Sequence, residues 1–247
     1  MTQFTNGMDA LNALNETNDG GSSREFTSLK SGSKYIVRVI DKAAVQMAYS
    51  YGIFKQINSF VAKEPSTKSQ KGYPTANLTP WDKAWKYHKD LSNDFNDEHG
   101  QEASKYRAKV RFAMAFFDLD QGEYIIVDVS KKQAQTIAAV IAKNEKKLGN
   151  KAFELEKVGS GTSTSVMLSP LDLDDLTDKQ RANFDKAPAE FDHAIFDGIW
   201  YEQDEAQQVT LLRQAGFDVT KIGYSAAPDA AETGEDTPNE DEEPLPF

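Results

Sequence analysis

The chain has 247 residues, of which 28 are Lys or Arg, 39 are Asp or Glu and none is Cys. No stretch approaches the roughly 18 consecutive apolar residues of a membrane span, and the first residues lack the basic and apolar regions of a secretory signal. The absence of cysteine excludes disulfides, thiolate metal sites and thiol catalysis. We therefore expect a cytoplasmic protein that does not cross a membrane.

Charge is distributed unevenly along the chain. Residues 1–23 hold three acidic residues and no basic residue, residues 24–157 hold 23 basic against 16 acidic residues, and residues 158–247 hold 5 against 20. The middle of the chain is therefore basic although the net charge of the whole is −11. We predict a flexible N-terminal arm over 1–23, one folded domain over 24–225 and a disordered acidic tail over 226–247.

The folded domain is predicted to be α+β and mainly β. Short runs rich in β-branched and aromatic residues predict strands, and turn-forming residues between them predict hairpins. The predicted strands lie at Lys34–Asp41, Ile53–Ala62, Tyr106–Leu119, Glu123–Val129, Lys151–Val158 and Ser163–Leu168.

Capping residues indicate where the helices begin. Thr79 precedes Pro80 at the first helical position, and Ser130 precedes Gln133 at the spacing of a capping box. The predicted helices span Thr79–Leu91, Ser130–Leu148, Thr177–Lys186 and Asp204–Ala215. Short strands with a helix between two strand groups are typical of a Greek-key barrel, so we predict an OB-type barrel core with inserted and C-terminal helices.

No arrangement of residues predicts catalysis. The three histidines are scattered, and the chain lacks the common hydrolase, metalloprotease and phosphate-loop motifs. Asp118, Asp120 and Glu123 offer carboxylates of the kind that a Mg2+-dependent nuclease needs, but a solvated hairpin turn explains them more simply. We predict no catalytic residue, no metal and no cofactor.

Basic and aromatic residues alternate through the basic middle of the chain. Single-stranded nucleic acid presents a line of phosphates and a row of unpaired bases, which cations and aromatic rings bind respectively. The candidate contact residues are Lys34, Arg38, Lys55, Phe60, Lys63, Lys68, Lys71, Tyr73, Trp81, Lys83, Trp85, Lys86, Tyr87, Lys105, Tyr106, Arg107, Lys109 and Arg111. A purely structural interpretation also fits, with the rings in the core and the cations in solvent.

Parts of this set have a specific predicted geometry. Alternate residues from Lys105 to Arg111 are basic, which would place four cations on one face of a strand. Phe112 and Phe116 of the same run are predicted core residues. Residues 63–73 predict a flexible basic loop that ends in Tyr73 and suits gripping a nucleic-acid strand.

The last seven residues are acids followed by an apolar and proline-rich end. They are Asp241, Glu242, Glu243, Pro244, Leu245, Pro246 and Phe247. This ending resembles the C-terminal tip of bacterial single-stranded-DNA-binding proteins. The resemblance implies that the tip binds replication, recombination and repair proteins, with the Phe ring in an apolar pocket and the acids steering it to basic partners.

Three segments of the body, Leu29–Val39, Phe153–Pro170 and Leu211–Gly223, are similar to the tailed-bacteriophage single-stranded-DNA-binding proteins of the gene 32 type. The resemblance implies a non-enzymatic viral protein of the host cytoplasm that coats and protects single-stranded DNA without sequence preference. It also implies recruitment of a polymerase, helicase, primase or recombinase through the tail. The type member has a zinc subdomain near the position of Tyr73–His99, but this chain has no cysteine there, so we predict no zinc.

Two other functions stay open at this stage. A replisome or virion adaptor would use the same tail and surface to bind proteins only, without contacting nucleic acid. Salt-reversible quenching of Trp fluorescence by oligo(dT) distinguishes nucleic-acid binding from this adaptor function. Mg2+-dependent degradation of DNA would identify the nuclease.

Overall fold

A computed structural model describes residues 25–159 and 163–226. The predicted arm and all but the first residue of the predicted tail, including the tip, lie outside these residues. The strands are β1 (Lys34–Arg38), β2 (Val45–Ile53), β3 (Ile57–Ala62), β4 (Thr67–Lys68), β5 (Pro74–Ala76), β6 (Lys109–Asp118), β7 (Glu123–Ser130), β8 (Ala152–Val158), β9 (Ser165–Leu171) and β10 (Glu202–Gln203). The α-helices are α1 (Pro80–Leu91), α2 (Glu98–Tyr106), α3 (Lys131–Lys143), α4 (Asp178–Lys186) and α5 (Glu205–Gln214).

Eight of the strands form one mostly antiparallel sheet. Seven follow the order β10–β3–β2–β6–β1–β8–β9, and β7 pairs with β6. One edge of β6 pairs with β7, while its other edge pairs first with β2 and then with β1. Within the described residues the two end strands, β10 and β9, do not pair with each other, so the sheet is open. The mixed helix and strand content is as predicted, but the closed OB-type barrel is not what this sheet forms.

Two apolar cores lie on one face of this sheet. The first core packs α3 against the sheet, with Met114 and Ile137 buried. The second core packs α1 and α5 against β2 and β3 around Trp81. Val45 of β2 pairs with Met114 of the first core, so these two side chains point to the same face of the sheet. Tyr51 of the second core lies an even number of residues from Val45 on β2 and therefore points to that face as well. A third core covers the opposite face, where Ala113 and its neighbours pack against the 3-10 helix His193–Phe196.

The local signals in the sequence place most helices correctly. The Thr79 hydroxyl accepts a hydrogen bond from the Asp82 backbone N–H at 3.1 Å, and Ser130 and Gln133 form the predicted capping box. The helix after Ser130 ends at Lys143, earlier than predicted, and a 3-10 helix follows it over Glu145–Asn150. No described helix combines the length and the apolar character needed to cross a lipid bilayer.

Two of the longer elements were not predicted, and neither were the short strands β4, β5 and β10. Strand β2 runs over Val45–Ile53, whereas the predicted strand in this region, Ile53–Ala62, begins only where β2 ends. Helix α2 is capped by Asp97, whose carboxylate accepts a hydrogen bond from the Gly100 backbone N–H at 2.6 Å. Because α2 extends to Tyr106, the predicted strand over Tyr106–Leu119 begins at Lys109 instead.

Candidate nucleic-acid interface

A strip of partly exposed side chains lies between the first and second cores. On β2, Met47 is 53% exposed, and Tyr49 is half-buried. Their register partners on β6, Phe112 and Val110, are also only half-buried, with Phe112 packed against the first core. The cores cover these apolar side chains only in part, so this part of the sheet is available for contact with a ligand.

An aromatic stack stands beside this strip. The rings of Tyr73 and Trp85 lie 6.0 Å apart between centroids with 29° between their planes, and the Arg107 guanidinium carbon lies 5.0 Å from the Tyr73 centroid. Gly72, at φ +80°, lies beside Tyr49, since a Cβ there would make ordinary contact with the Tyr49 ring at 3.5 Å. We call Tyr49, Tyr73, Trp85 and Arg107 the aromatic ledge. Tyr73 remains 42% exposed, so part of its side chain is open to solvent.

A buried polar network holds the loop that carries Tyr73. The Asp82 carboxylate accepts hydrogen bonds from the Tyr51 hydroxyl at 2.8 Å and from the Ser66 hydroxyl at 2.6 Å, and it forms an ion pair with Lys68. Burial, reinforced by the Asp82 charge, raises the pKa of Tyr51 far above its ordinary value, so its hydroxyl stays protonated and donates. The predicted flexible loop is therefore a short β4–β5 hairpin fixed to α1.

Four predicted contact residues lie inside the protein, and for them the prediction was wrong. Phe60, Trp81 and Tyr106 belong to the second core, where the Trp81 ring contacts the other two at 5.3 and 5.7 Å. The Trp81 indole N–H donates to the Gln208 backbone carbonyl at 3.2 Å. The fourth is Lys68, which forms the buried ion pair described above. None of these side chains can reach a bound polynucleotide without unfolding the core. Phe116 is buried in the first core, as predicted.

Several other predicted contacts are engaged within the protein. Arg38 donates to the Phe184 backbone carbonyl at 2.7 Å and lies 4.5 Å above the Phe184 ring, so its role is structural. Tyr87 is half-buried and packs edge-on against Phe217. The cations with acidic partners are Lys34 with Glu154 at 3.2 Å, Lys83 with Glu205 at 3.9 Å, Lys86 with Asp90 at 2.7 Å and Lys105 with Glu102. Such largely exposed pairs are weak, and phosphates can compete for these cations.

The predicted row of four cations on one strand face does not form. Lys105 lies in α2 and Arg107 follows that helix, so only Lys109 and Arg111 lie on β6. These two point away from the aromatic ledge, because the intervening Val110 shares the face of its register partner Tyr49. The Arg111 guanidinium donates to the Asp128 carboxylate at 2.7 Å.

Six predicted cations form no ion pair within the described part of the chain. One is Arg38, which donates to a backbone carbonyl, and the others are Lys55, Lys63, Lys71, Arg107 and Lys109. Lys71 adjoins Gly72 and Arg107 belongs to the ledge, so positive charge accompanies the exposed rings. Met47 and Tyr49 on β2 were not among the predicted contact residues, although the apolar alternation of Val45, Met47, Tyr49 and Tyr51 is a strand signal.

The acidic turn that offered a nuclease site is explained by its hydrogen bonds. Asp118 is buried, and its carboxylate accepts from the backbone N–H groups of Asp120 at 2.7 Å and Gln121 at 3.3 Å. The Asp120 carboxylate accepts from the Gln180 amide at 2.8 Å. In the part of the chain that the structure describes, no cluster of three or more His, Asp or Glu residues is arranged to hold a metal ion. These contacts favour the hairpin-turn interpretation of the acids.

Comparison of the chain with family models, with characterised proteins and with solved structures found no match. The resemblances noted in the sequence remain expectations.

Proposed function

We propose that this protein binds single-stranded nucleic acid, without sequence preference and without catalysing a reaction, through the aromatic ledge and the adjoining apolar strip. The observation that carries the proposal is the Arg107–Tyr73–Trp85 stack, which presents a cation and an exposed ring at one surface point. Unpaired bases stack on such rings, and phosphates pair with such cations. Duplex DNA keeps its base faces covered, so this surface is expected to favour single strands.

Base stacking and charge neutralisation both contribute to the expected affinity. One base stacked on Tyr73 contributes about 1–3 kcal/mol, and each phosphate neutralised by a cation such as Lys71 or Arg107 adds salt-dependent affinity through counterion release. Further bases can cover Met47 and Tyr49, which are only partly buried. Because every base has an apolar face, none of these contacts selects a sequence.

The proposal extends to the part of the chain outside the described residues. Its support is the acid-rich ending at 241–247 and the resemblances to single-stranded-DNA-binding proteins. We propose that the protein coats DNA through its body, which would be a distant and opened relative of the OB type. Its tail would recruit replication, recombination and repair proteins by placing the Phe247 ring in an apolar pocket of the partner.

The test is a titration of the full chain with oligo(dT), followed by tryptophan fluorescence at several salt concentrations. We expect quenching that high salt reverses, because Trp85 belongs to the ledge and the phosphate contacts are salt-dependent. Trp85→Phe should remove most of the quenching, whereas Trp200→Phe should retain it, because the Trp200 indole packs against the third core and donates to the Gln46 side chain. Failure of the wild-type chain to bind at low salt would instead favour an adaptor that binds proteins only.

A further inference from the structure

A second surface with exposed charge and an exposed ring lies on the other face of the sheet, at the β2–β3 hairpin. It is a groove of about 510 Å3, which we call the hairpin groove. Its lining includes Phe54, Lys55, Asn58, Ser59, Lys109 and Arg111. The aromatic ledge shares none of these residues, so the groove is a separate site.

The Phe54 ring is the outstanding feature of this groove. It lies at the tip of the hairpin and is 87% exposed. Lys55, at φ +62°, adopts the left-handed conformation of a tight turn, and the Gln56 backbone N–H closes the turn by donating to the Ile53 carbonyl at 3.0 Å. The turn therefore holds the ring in solvent, where it contributes little to the stability of the fold.

A β-bulge sets the direction of this hairpin tip. The β2–β3 register shifts between Tyr51 and Ile53, where Gly52 has φ +141°. A Cβ on Gly52 would lie 3.1 Å from the backbone carbonyl oxygens of Ile57 and Asn58, so the close approach of the two strands requires glycine. Bulges of this kind re-aim the side chains that follow them.

The charge of the groove complements a phosphate chain. Lys55, Lys109 and Arg111 contribute three cations, and the acid in the lining is Asp128, which pairs with Arg111 at 2.7 Å. Lys55 and Lys109 form no ion pair within the described residues, and the Lys55 ammonium lies 5.4 Å from the Phe54 ring centroid. Asn58 and Ser59 add neutral groups that can donate to phosphate oxygens.

We propose that the hairpin groove is a second binding site for single-stranded polynucleotide, in which Phe54 stacks on one unpaired base while Lys55 and Lys109 contact the flanking phosphates. The inference rests on the proposed function, because the same strand is expected to continue from the ledge. Arg107 of the ledge and Lys109 of the groove are two residues apart in the chain. Their charges would guide a single nucleic-acid strand from one face of the sheet to the other.

The decisive variant is Phe54→Ala, with Phe95→Ala as its matched control. Phe95 is also a largely exposed phenylalanine, at 65%, but it lies between α1 and α2 beside Asp94 and Asp97 and outside the groove. Both changes remove solvent-exposed rings, so both chains should fold. We expect Phe54→Ala to weaken the binding of an oligo(dT) of about 25 nucleotides by about tenfold, as for the loss of one stacked base, and Phe95→Ala to leave it unchanged.

A second pair of variants tests the phosphate contact. Lys109→Gln should lower the magnitude of the slope of log K against log salt by about 0.7, the value for one phosphate of a single strand. Lys146→Gln, which removes an exposed cation from the 3-10 helix Glu145–Asn150, should leave the slope unchanged. Cross-linking by oligonucleotides that contain 5-iodouracil should label the peptide that holds Phe54.

The outcomes separate the groove from the ledge. If the wild-type chain binds with quenching of Trp85, and both Phe54→Ala and Lys109→Gln bind as the wild type does, the groove is overturned and the ledge stands. If the wild-type chain does not bind oligo(dT), both proposals fall. Loss of affinity in Phe54→Ala with the Trp85 quenching retained at saturation supports a separate groove.

Discussion

Lys68 forms an ion pair with Asp82 inside the protein, where the two side chains are 5% and 1% exposed. The same carboxylate accepts hydrogen bonds from Tyr51 and Ser66, so one buried charge joins β2, the β4–β5 hairpin and α1. A buried carboxylate that loses its cation must be protonated or hydrated at high cost. The position of Tyr73 in the same hairpin therefore depends on this pair.

We predict that Lys68→Met lowers the free energy of unfolding by about 3–5 kcal/mol, because it leaves the Asp82 charge without its partner. Lys71→Met, at an exposed position of the same hairpin, should change stability by less than about 0.5 kcal/mol but weaken oligo(dT) binding. Urea denaturation measures the first effect and the oligo(dT) titration the second. Equal stability of the two variants would show that the buried pair contributes little.

His88 and His99 face each other with their Nδ1 atoms 3.0 Å apart, and the His88 ring stacks on Tyr106. Burial lowers the pKa of His88; His99, Lys221 and Lys105 lower it further, and Glu102 opposes them. The unfolded chain, with an ordinary pKa of about 6.5, therefore takes up the His88 proton more readily than the folded chain. Stability should consequently fall as the pH drops below about 6.5.

Urea denaturation between pH 7.5 and 5.5 tests this linkage. We expect the midpoint of the wild-type chain to decrease across this range. His88→Gln should flatten the decrease, since an amide does not titrate. His193→Gln, in a separate 3-10 helix, should leave it in place. A wild-type midpoint that rises toward pH 5.5 would contradict the assigned direction of the His88 shift.

The elements that local chemistry specifies could be predicted from the sequence. The capping box at Ser130 and the turn residues after Asp118 act within a few residues, and both predictions are confirmed. Strand β2 was missed because its main partner is β6, more than 50 residues away in the chain. Pairing of that kind depends on the whole fold and leaves only a weak local signal.

In the candidate site, too, long-range contacts decide features that the local sequence does not predict, here the exposure of single side chains. Phe54 and Phe60 lie in one β-rich segment, and composition does not distinguish them, yet Phe60 is buried in the second core and Phe54 is exposed at a hairpin tip. Likewise, nothing near Lys68 in the sequence identifies Asp82 as its partner. Which rings and cations remain at the surface is decided by tertiary contacts, so composition alone assigned some residues wrongly.

The aromatic ledge makes a specific prediction for Tyr73. Tyr73→Ala should weaken oligo(dT) binding by about 5- to 100-fold, because it removes an exposed ring and the surface over which Arg107 lies. The matched control is Tyr201→Ala, since Tyr201 is a more exposed tyrosine, at 60%, outside the ledge. Fluorescence anisotropy of a labelled oligo(dT) measures both. A loss of affinity that is equal in the two variants would argue against a localised site.

The acidic residues near the end of the chain should compete with DNA for Arg107 of the ledge and for nearby cations such as Lys71. Residues 229–247 hold eight acidic residues and no basic residue, so their charge resembles that of a short phosphate chain. Removing 229–247 should therefore tighten oligo(dT) binding at low salt, and the gain should fade as salt screens the competition. Removing only Pro244–Phe247 keeps all eight acids and should leave the affinity unchanged. Equal or weaker oligo(dT) binding after removal of 229–247 would contradict the competition. Tighter binding after removal of Pro244–Phe247 alone would assign the effect to the apolar end and not to charge.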